Sequence, residues 1–419
     1  MLLKRNLAAF VFMTMAAGSS LAAGLLDEGQ CSQLGLTRHW EARLPLNSGE
    51  TVREAFLVED VLYVTSTSGA VFSVTADTGL IRWVVPLTEP GYAIQKPAHL
   101  LSANGMTMVA IVTSPAIYVL DRFTGAEIQR IPNSFGVSAS TIGFGHALFL
   151  GGTDSLFRAM LVGGSPELGN VELWQVGTAG PVVTAPLFLR NRLIAFASKG
   201  GVVYSCDGTN KSLQWSKQLN GEIVADPAAD EGGIYVACQD RSLYRLDQRR
   251  GNIFWRTRLP NPLTDAPVVS AHTVYQFCAN HGLVALDADT GKMKWRNENG
   301  RQFVAHSQDR DVLFTSNFEL QTVEHKTGKV WAAVTMDRDV STVSNVQEGA
   351  VFVVKSDGVV VCARMENSPY LRLQQVTAAR KKLNEAPGVA DSAQEMIVEQ
   401  AVEADGDSDP LRSRRDPRP

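Results

Sequence analysis

Tryptophan recurs along this chain at a nearly fixed interval. Trp40, Trp83, Trp174, Trp215, Trp255, Trp295 and Trp331 follow one another at steps of 43, 91, 41, 40, 40 and 36 residues. The long step is two repeats, with Gln129 where a tryptophan is missing: Gln129 follows Thr124-Gly125 as Trp83 follows Thr78-Gly79 and Trp295 follows Thr290-Gly291. A second marker keeps the same beat, since Pro186, Pro227 and Pro267 each lie 12 residues after Trp174, Trp215 and Trp255. Two independent markers at one period define a structural unit of about 40 residues, a length typical of solenoids and propellers.

The pattern inside a unit distinguishes these two. Leu62-Tyr63-Val64-Thr65-Ser66, Ala70-Val71-Phe72-Ser73-Val74 and Leu80-Ile81-Arg82-Trp83-Val84 are short β-branched or alternating runs. They are separated by Ser68-Gly69 and Asp77-Thr78-Gly79, which read as hairpin turns. A further strand near the repeated proline makes four strands per unit, and four antiparallel strands every 40 residues is a propeller blade. Helical repeats would instead place apolar residues three and four apart. The sequence therefore predicts an all-β, eight-bladed β-propeller of four-stranded antiparallel blades. Its seven tryptophans serve as blade-docking residues, because an indole can bury about 150–250 Å² in each joint.

The ends of the repeat region predict how the ring closes. Trp40 has no strands of its own before it, whereas 351–363 supplies strands with no tryptophan after them. Residues around 36–45 are expected to form the last strand of the blade built by 340–365, which removes the exposed sheet edges.

Outside the repeats, the sequence predicts three segments. Lys4 and Arg5, the apolar run 7–17 and the small residues Ser20 to Ala23 predict a signal peptide over 1–23, too short to span a bilayer. The propeller then occupies 24–370, and 371–419 is a mostly disordered tail of acidic character ending in arginines, with a short helix predicted over 371–383. Cleavage of the leader takes the formal charge from −4 to −6 by removing two cations. A mildly acidic exported chain is a poor nucleic-acid binder. Cys31 lies too far from the small residues for a lipoprotein. The five cysteines, Cys31, Cys206, Cys238, Cys278 and Cys362, contain no CxxC and no adjacent pair, so neither a zinc motif nor a disulfide framework is indicated. A Cys31–Cys362 bridge within the closing blade stays open.

The search for chemistry is negative. His39, His99, His146, His272, His281, His306 and His325 show no metal spacing, and His281 and His325 fall at turns where they are expected to be solvated. Lys96, Thr184, Asp226 and Asp265 stand at the start of the predicted innermost strands and would ring the central channel, as mouth-hydrating groups or as a cofactor site. Catalytic, cofactor-binding and metal residues are none, and the chain is read as a non-enzyme. A GxSxG elbow, a P-loop and a Rossmann fingerprint are all lacking in suitable context.

Ala285-Leu286-Asp287-Ala288-Asp289-Thr290-Gly291-Lys292-Met293-Lys294-Trp295 matches the AxDxxTGKxxW docking motif at every specified position. Asp121 with Thr124-Gly125 and Asp247 with Gly251 keep its core. Glu324 with Thr327-Gly328 and Trp331 is one residue short, and the third blade carries an insertion through Gly163-Gly164-Ser165-Pro166. On these residues, the chain over 35–365 resembles the pyrroloquinoline-quinone-type propeller repeat proteins. Within that superfamily it resembles the propeller subunits of the bacterial outer-membrane β-barrel assembly machinery, which implies a cofactor-free scaffold in the periplasm or cell envelope, monomeric and with a protein partner. The other branch, the quinone-dependent dehydrogenases, implies a quinone and calcium in the funnel and a disulfide between adjacent cysteines, a pair this chain lacks. Glycan binding is a third reading.

Overall fold

Every repeat folds into a four-stranded antiparallel sheet in this computed structural model, which describes residues 25–101, 107–137, 139–144, 146–162, 171–189, 192–365 and 368. The expected leader (1–23), the insertion at 163–166 and the tail (371–419) lie outside the described residues. Blades 1 to 7 span 52–86, 98–132, 142–177, 187–218, 228–258, 268–297 and 300–335, each a sequential meander. Blade 8 combines Val340–Val343, Ala350–Lys355 and Val359–Met365 with Leu36–Arg43 as its fourth strand. First strands of neighbouring blades touch one another, so they face the axis and the fourth strands form the rim.

Ring closure occurs where the sequence places it. Leu36–Arg43 pairs antiparallel with Val359–Met365, from Leu36 opposite Met365 to Arg43 opposite Val359. The first strand of the fold thereby covers the edge of Val359–Met365 and completes the last blade. Among the described residues, no helix is long and apolar enough to cross a membrane.

Blade joints show why the tryptophan and glycine recur together. The indole nitrogens of Trp40, Trp83, Trp215, Trp255 and Trp295 donate to the carbonyls of Ala76, Arg122, Gln248, Ala288 and His325, at 2.8–3.0 Å. Each acceptor lies in the turn before the fourth strand of the next blade. In that turn Gly79, Gly125, Gly251, Gly291 and Gly328 adopt φ of +69 to +73°, with the preceding blade's indole against their α-carbons. Positive φ and close ring approach both require the missing side chain. Blade 4 departs from this pattern: Lys211 takes the equivalent turn position at φ +58°, and the buried Trp174 Nε1 finds no hydrogen-bond partner among the described residues.

Trp331 corrects the expected set of docking residues. It is 52% exposed. In blade 1, Trp83 pairs with Ser73 just before a bulge; in blade 7, Ala332 holds that place opposite Thr322, and Trp331 is the bulged residue. A shift of one residue along a strand turns the side chain to the other face. The joint between blades 7 and 8 is filled instead by the helix Glu28–Leu34 and its flanks, with Leu25, Leu26 and Leu34 packed in the cluster that holds Ala332 and Val334. Asp27 opens this helix in a capping box with Gln30, and Gly35 ends it at φ +70°. Gln33 Nε2 and Thr322 Oγ1 tie it to Ala333 O and Leu34 O respectively, each at 2.9 Å.

All five cysteines are buried and free, so Cys31 does not bridge Cys362. Burial pushes the Cys31 thiol up to about 11 and that of Cys362 up to about 12, which makes both small apolar fillers. The buried Asp60 between blades 1 and 2 is paired with Arg122 and, at 3.4 Å, with Arg82.

Candidate functional site

Among the described residues, polar or aromatic groups gather at the central channel, at the joint between blades 6 and 7 and at the rim of blade 7. The channel is the first. Thr184 is buried and donates to Ala197 O at 3.0 Å, so it caps a strand and does not face a ligand. Asp226 accepts from Ala185 N–H at 2.7 Å. Its carboxyl is raised by burial, partly offset by that N–H and by the charge of Lys96. Lys96 reaches water but is walled in by protein, and this loss of solvent lowers its pKa against the pull of Asp226. Asp265 is bound by Arg301 at 2.7 Å, and Arg301 also lies 4.0 Å over the Phe277 ring. Beside this pair a cleft of about 520 Å³ opens among the first strands of blades 6, 7 and 8, floored by Phe277, Phe303 and Phe314. The channel carboxylates are thus each engaged by a cation or an N–H. Among the described residues, these carboxylates do not join a group of three or more acidic, histidine or cysteine side chains.

The joint between blades 6 and 7 is the second place. Asp311, fully buried, stands on the second strand of blade 7, Arg310–Thr315. Register equates its slot with Leu62, Val109, Ile194, Ile234 and Val274 of other blades, all apolar. Its carboxylate meets His306 Nδ1 at 2.8 Å, His325 Nδ1 at 3.0 Å and the Tyr275 hydroxyl of blade 6 at 2.7 Å. Burial alone would raise this carboxyl, but the bonds from His306, His325 and Tyr275 together hold it below its usual range. His325, expected to be solvated, is only 13% exposed at its side chain, and its carbonyl receives the Trp295 indole.

The other histidines separate into ordinary roles. His99 is buried between Tyr63 Oη and Glu59, both at 2.8 Å. His281 is partly exposed beside Arg296 at 2.9 Å, and loss of solvent, helped by that cation, lowers its pKa. His39 meets Asp77 O at 3.0 Å and His146 meets Val162 O at 3.3 Å.

The rim of blade 7 is the third place. The exposed Trp331 indole carries the Arg310 guanidinium 3.9 Å above its ring. Clefts of about 280 Å³ and 440 Å³ flank this pair, one reaching Leu34, Gly35 and Met365 and the other Glu324 and Lys329. Val330, next to it on the same strand, is also exposed, and the fourth strands of blades 6 and 5 add exposed Met293, Phe254 and Ile253.

Comparison with known proteins agrees with this architecture. The family described as "Outer membrane protein assembly factor BamB" matches residues 167–310 and 249–401, two overlapping stretches. No curated protein is similar in sequence. The crystal structure of BamB from Moraxella catarrhalis is similar at a TM-score of 0.63 and 17% identity, covering 80% of this chain and 99% of that one. The computationally designed Ika8 protein is similar at 0.59 and 13%, covering 77% and 98%. At these identities the likeness to both structures is one of fold.

Proposed function

The chain belongs to the PQQ-like propeller family described as outer membrane protein assembly factor BamB, and from that premise we propose that it is an exported, non-enzymatic scaffold that holds a protein partner in outer-membrane assembly. One observation carries the assignment of a surface: Trp331 is turned out of its blade joint, with Arg310 stacked on it between two clefts. Tryptophan and arginine are the residue types most enriched where binding energy concentrates, and flanking hollows let a partner enclose them. The indole rests one ring edge on Gly35, the cap of the helix Glu28–Leu34 that fills the rest of the joint, and its exposed half costs solubility unless a partner covers it. The strands of the rim are also sheet edges, to which an extended segment of a partner can add.

Capture from crosslinked envelope extract tests the reading. Wild-type protein is expected to retain a specific envelope protein, and Trp331→Ala with Arg310→Ala to lose it while keeping the wild-type melting temperature within about 2–4 °C. Equal capture by both proteins removes this surface from the proposal. Failure of the wild type to retain any specific protein removes the scaffold itself.

A further inference from the structure

We propose that His306, Asp311 and His325 of blade 7 form a binding site for a divalent transition-metal ion, zinc in the first instance, at the joint with blade 6. Three separate parts of blade 7 bring the ligands together: the end of its first strand, its second strand and the turn after its third. One ligand atom from each lies within 4.8 Å of the others. Zinc at about 2.0–2.1 Å from nitrogen and oxygen sets its tetrahedral ligands about 3.3 Å apart. The two carboxylate-to-imidazole distances, 2.8 and 3.0 Å, need open only by a few tenths of an ångström to admit it. Zinc takes the place of the two Nδ1 protons, and both imidazoles coordinate as neutral rings.

The surroundings support the same arrangement. Thr273 Oγ1 lies 3.2 Å from His325 Nε2 and receives Lys294 Nζ at 2.8 Å, so it can accept the Nε2 proton that a ring bound through Nδ1 must carry. The Tyr275 hydroxyl donates to Asp311 Oδ2 and leaves Oδ1, which faces both imidazoles, for the ion. Such outer bonds orient ligands and strengthen metal binding. The rings of His306 and His325, 4.6 Å apart and 17% and 13% exposed, leave a path from solvent. Two imidazoles with one carboxylate suit zinc and its neighbours and not calcium or magnesium, which prefer all-oxygen shells. An apolar residue fills the Asp311 slot in five other blades, so blade geometry does not demand a carboxylate there.

The test uses the full chain, free of any histidine tag and stripped with chelator, titrated with Zn²⁺ against a chromophoric zinc indicator. Wild type is expected to take up one equivalent in a saturable step and to melt higher with zinc, reversibly on adding chelator. His306→Gln and His325→Gln each weaken uptake by at least about tenfold, and Tyr275→Phe, which removes the hydroxyl that donates to Asp311 and lies 3.2 Å from His325 Nδ1, by about tenfold. A wild type that takes up no zinc at one equivalent overturns the proposal. So does a His306→Gln/His325→Gln double variant, folded by circular dichroism, that binds as the wild type does.

Discussion

Trp40 Nε1 donates to the carbonyl of Ala76 across 3.0 Å, which joins the closing blade to the first complete one. Trp40 also packs its ring on Phe352 within its own blade, 6.0 Å between centroids, and on the α-carbon of Gly79 in the next. A single side chain therefore locks both the closure strand and the joint beyond it. Trp40→Ala is expected to cost about 3–5 kcal/mol, and Trp331→Ala less than about 1 kcal/mol. Urea unfolding of the two variants checks this; equal losses would mean that exposure of the indole does not report its packing role.

Gly291 and Gly49 separate two costs that are usually confounded. Both have positive φ, but a methyl on Gly291 would lie 2.6 Å from Trp255 Cδ2, while one on Gly49 meets nothing within 4 Å. Gly49→Ala should cost about 1–2 kcal/mol from backbone strain alone. Gly291→Ala should cost clearly more, because the indole must move, and the difference between the two midpoints measures the ring contact.

Lys211 holds the turn position that other blades give to glycine, at φ +58°. Lys211→Gly relieves that strain and is expected to stabilise the protein by about 0.5–1 kcal/mol, after the entropy that glycine adds to the unfolded chain. A lower melting temperature for the variant would show that the lysine side chain contributes more than its backbone costs.

Glu50 lies in the turn that leads from the closure strand into blade 1. Burial raises its carboxyl, but hydrogen bonds from Ser66, Ser68 and Asn47 outweigh this and lower it from 4.5 to about 2. A depressed carboxyl stabilises the fold above its unfolded value, and that contribution is lost as pH falls through its folded value. The stability gap between wild type and Glu50→Gln is thus expected to be full at about pH 6 and to close near pH 2. A gap independent of pH would mean that these bonds do not favour the charged form.

The architecture was legible because its markers are local: Thr290-Gly291 and Trp295 sit in one motif, and Gly79 needs its positive φ whatever surrounds it. Closure by 36–45 was legible for a similar reason, as a strand with a tryptophan at one end matched strands lacking one at the other. The exposure of Trp331 was visible only in part. Its place three residues after Gly328, where Trp295 stands four after Gly291, marks the slip, but the helix that fills the joint comes from 25–35 and carries no repeat signature. The Asp311 cluster was not legible. His306, Asp311 and His325 have no motif spacing, and Tyr275 reaches Asp311 only because blades 6 and 7 stack. A strand-by-strand alignment of the repeats is the signal that finds it, since it exposes an aspartate in a column of Leu62, Val109, Ile234 and Val274.

Pairing Leu36–Arg43 with Val359–Met365 also fixes an order of events. The strand made first waits for the strand made last, and at about 5–20 residues per second that wait lasts on the order of tens of seconds. For that interval the growing polypeptide displays a sticky, single-file β segment with Trp40 uncovered, open to pairing with neighbouring chains until the circle shuts.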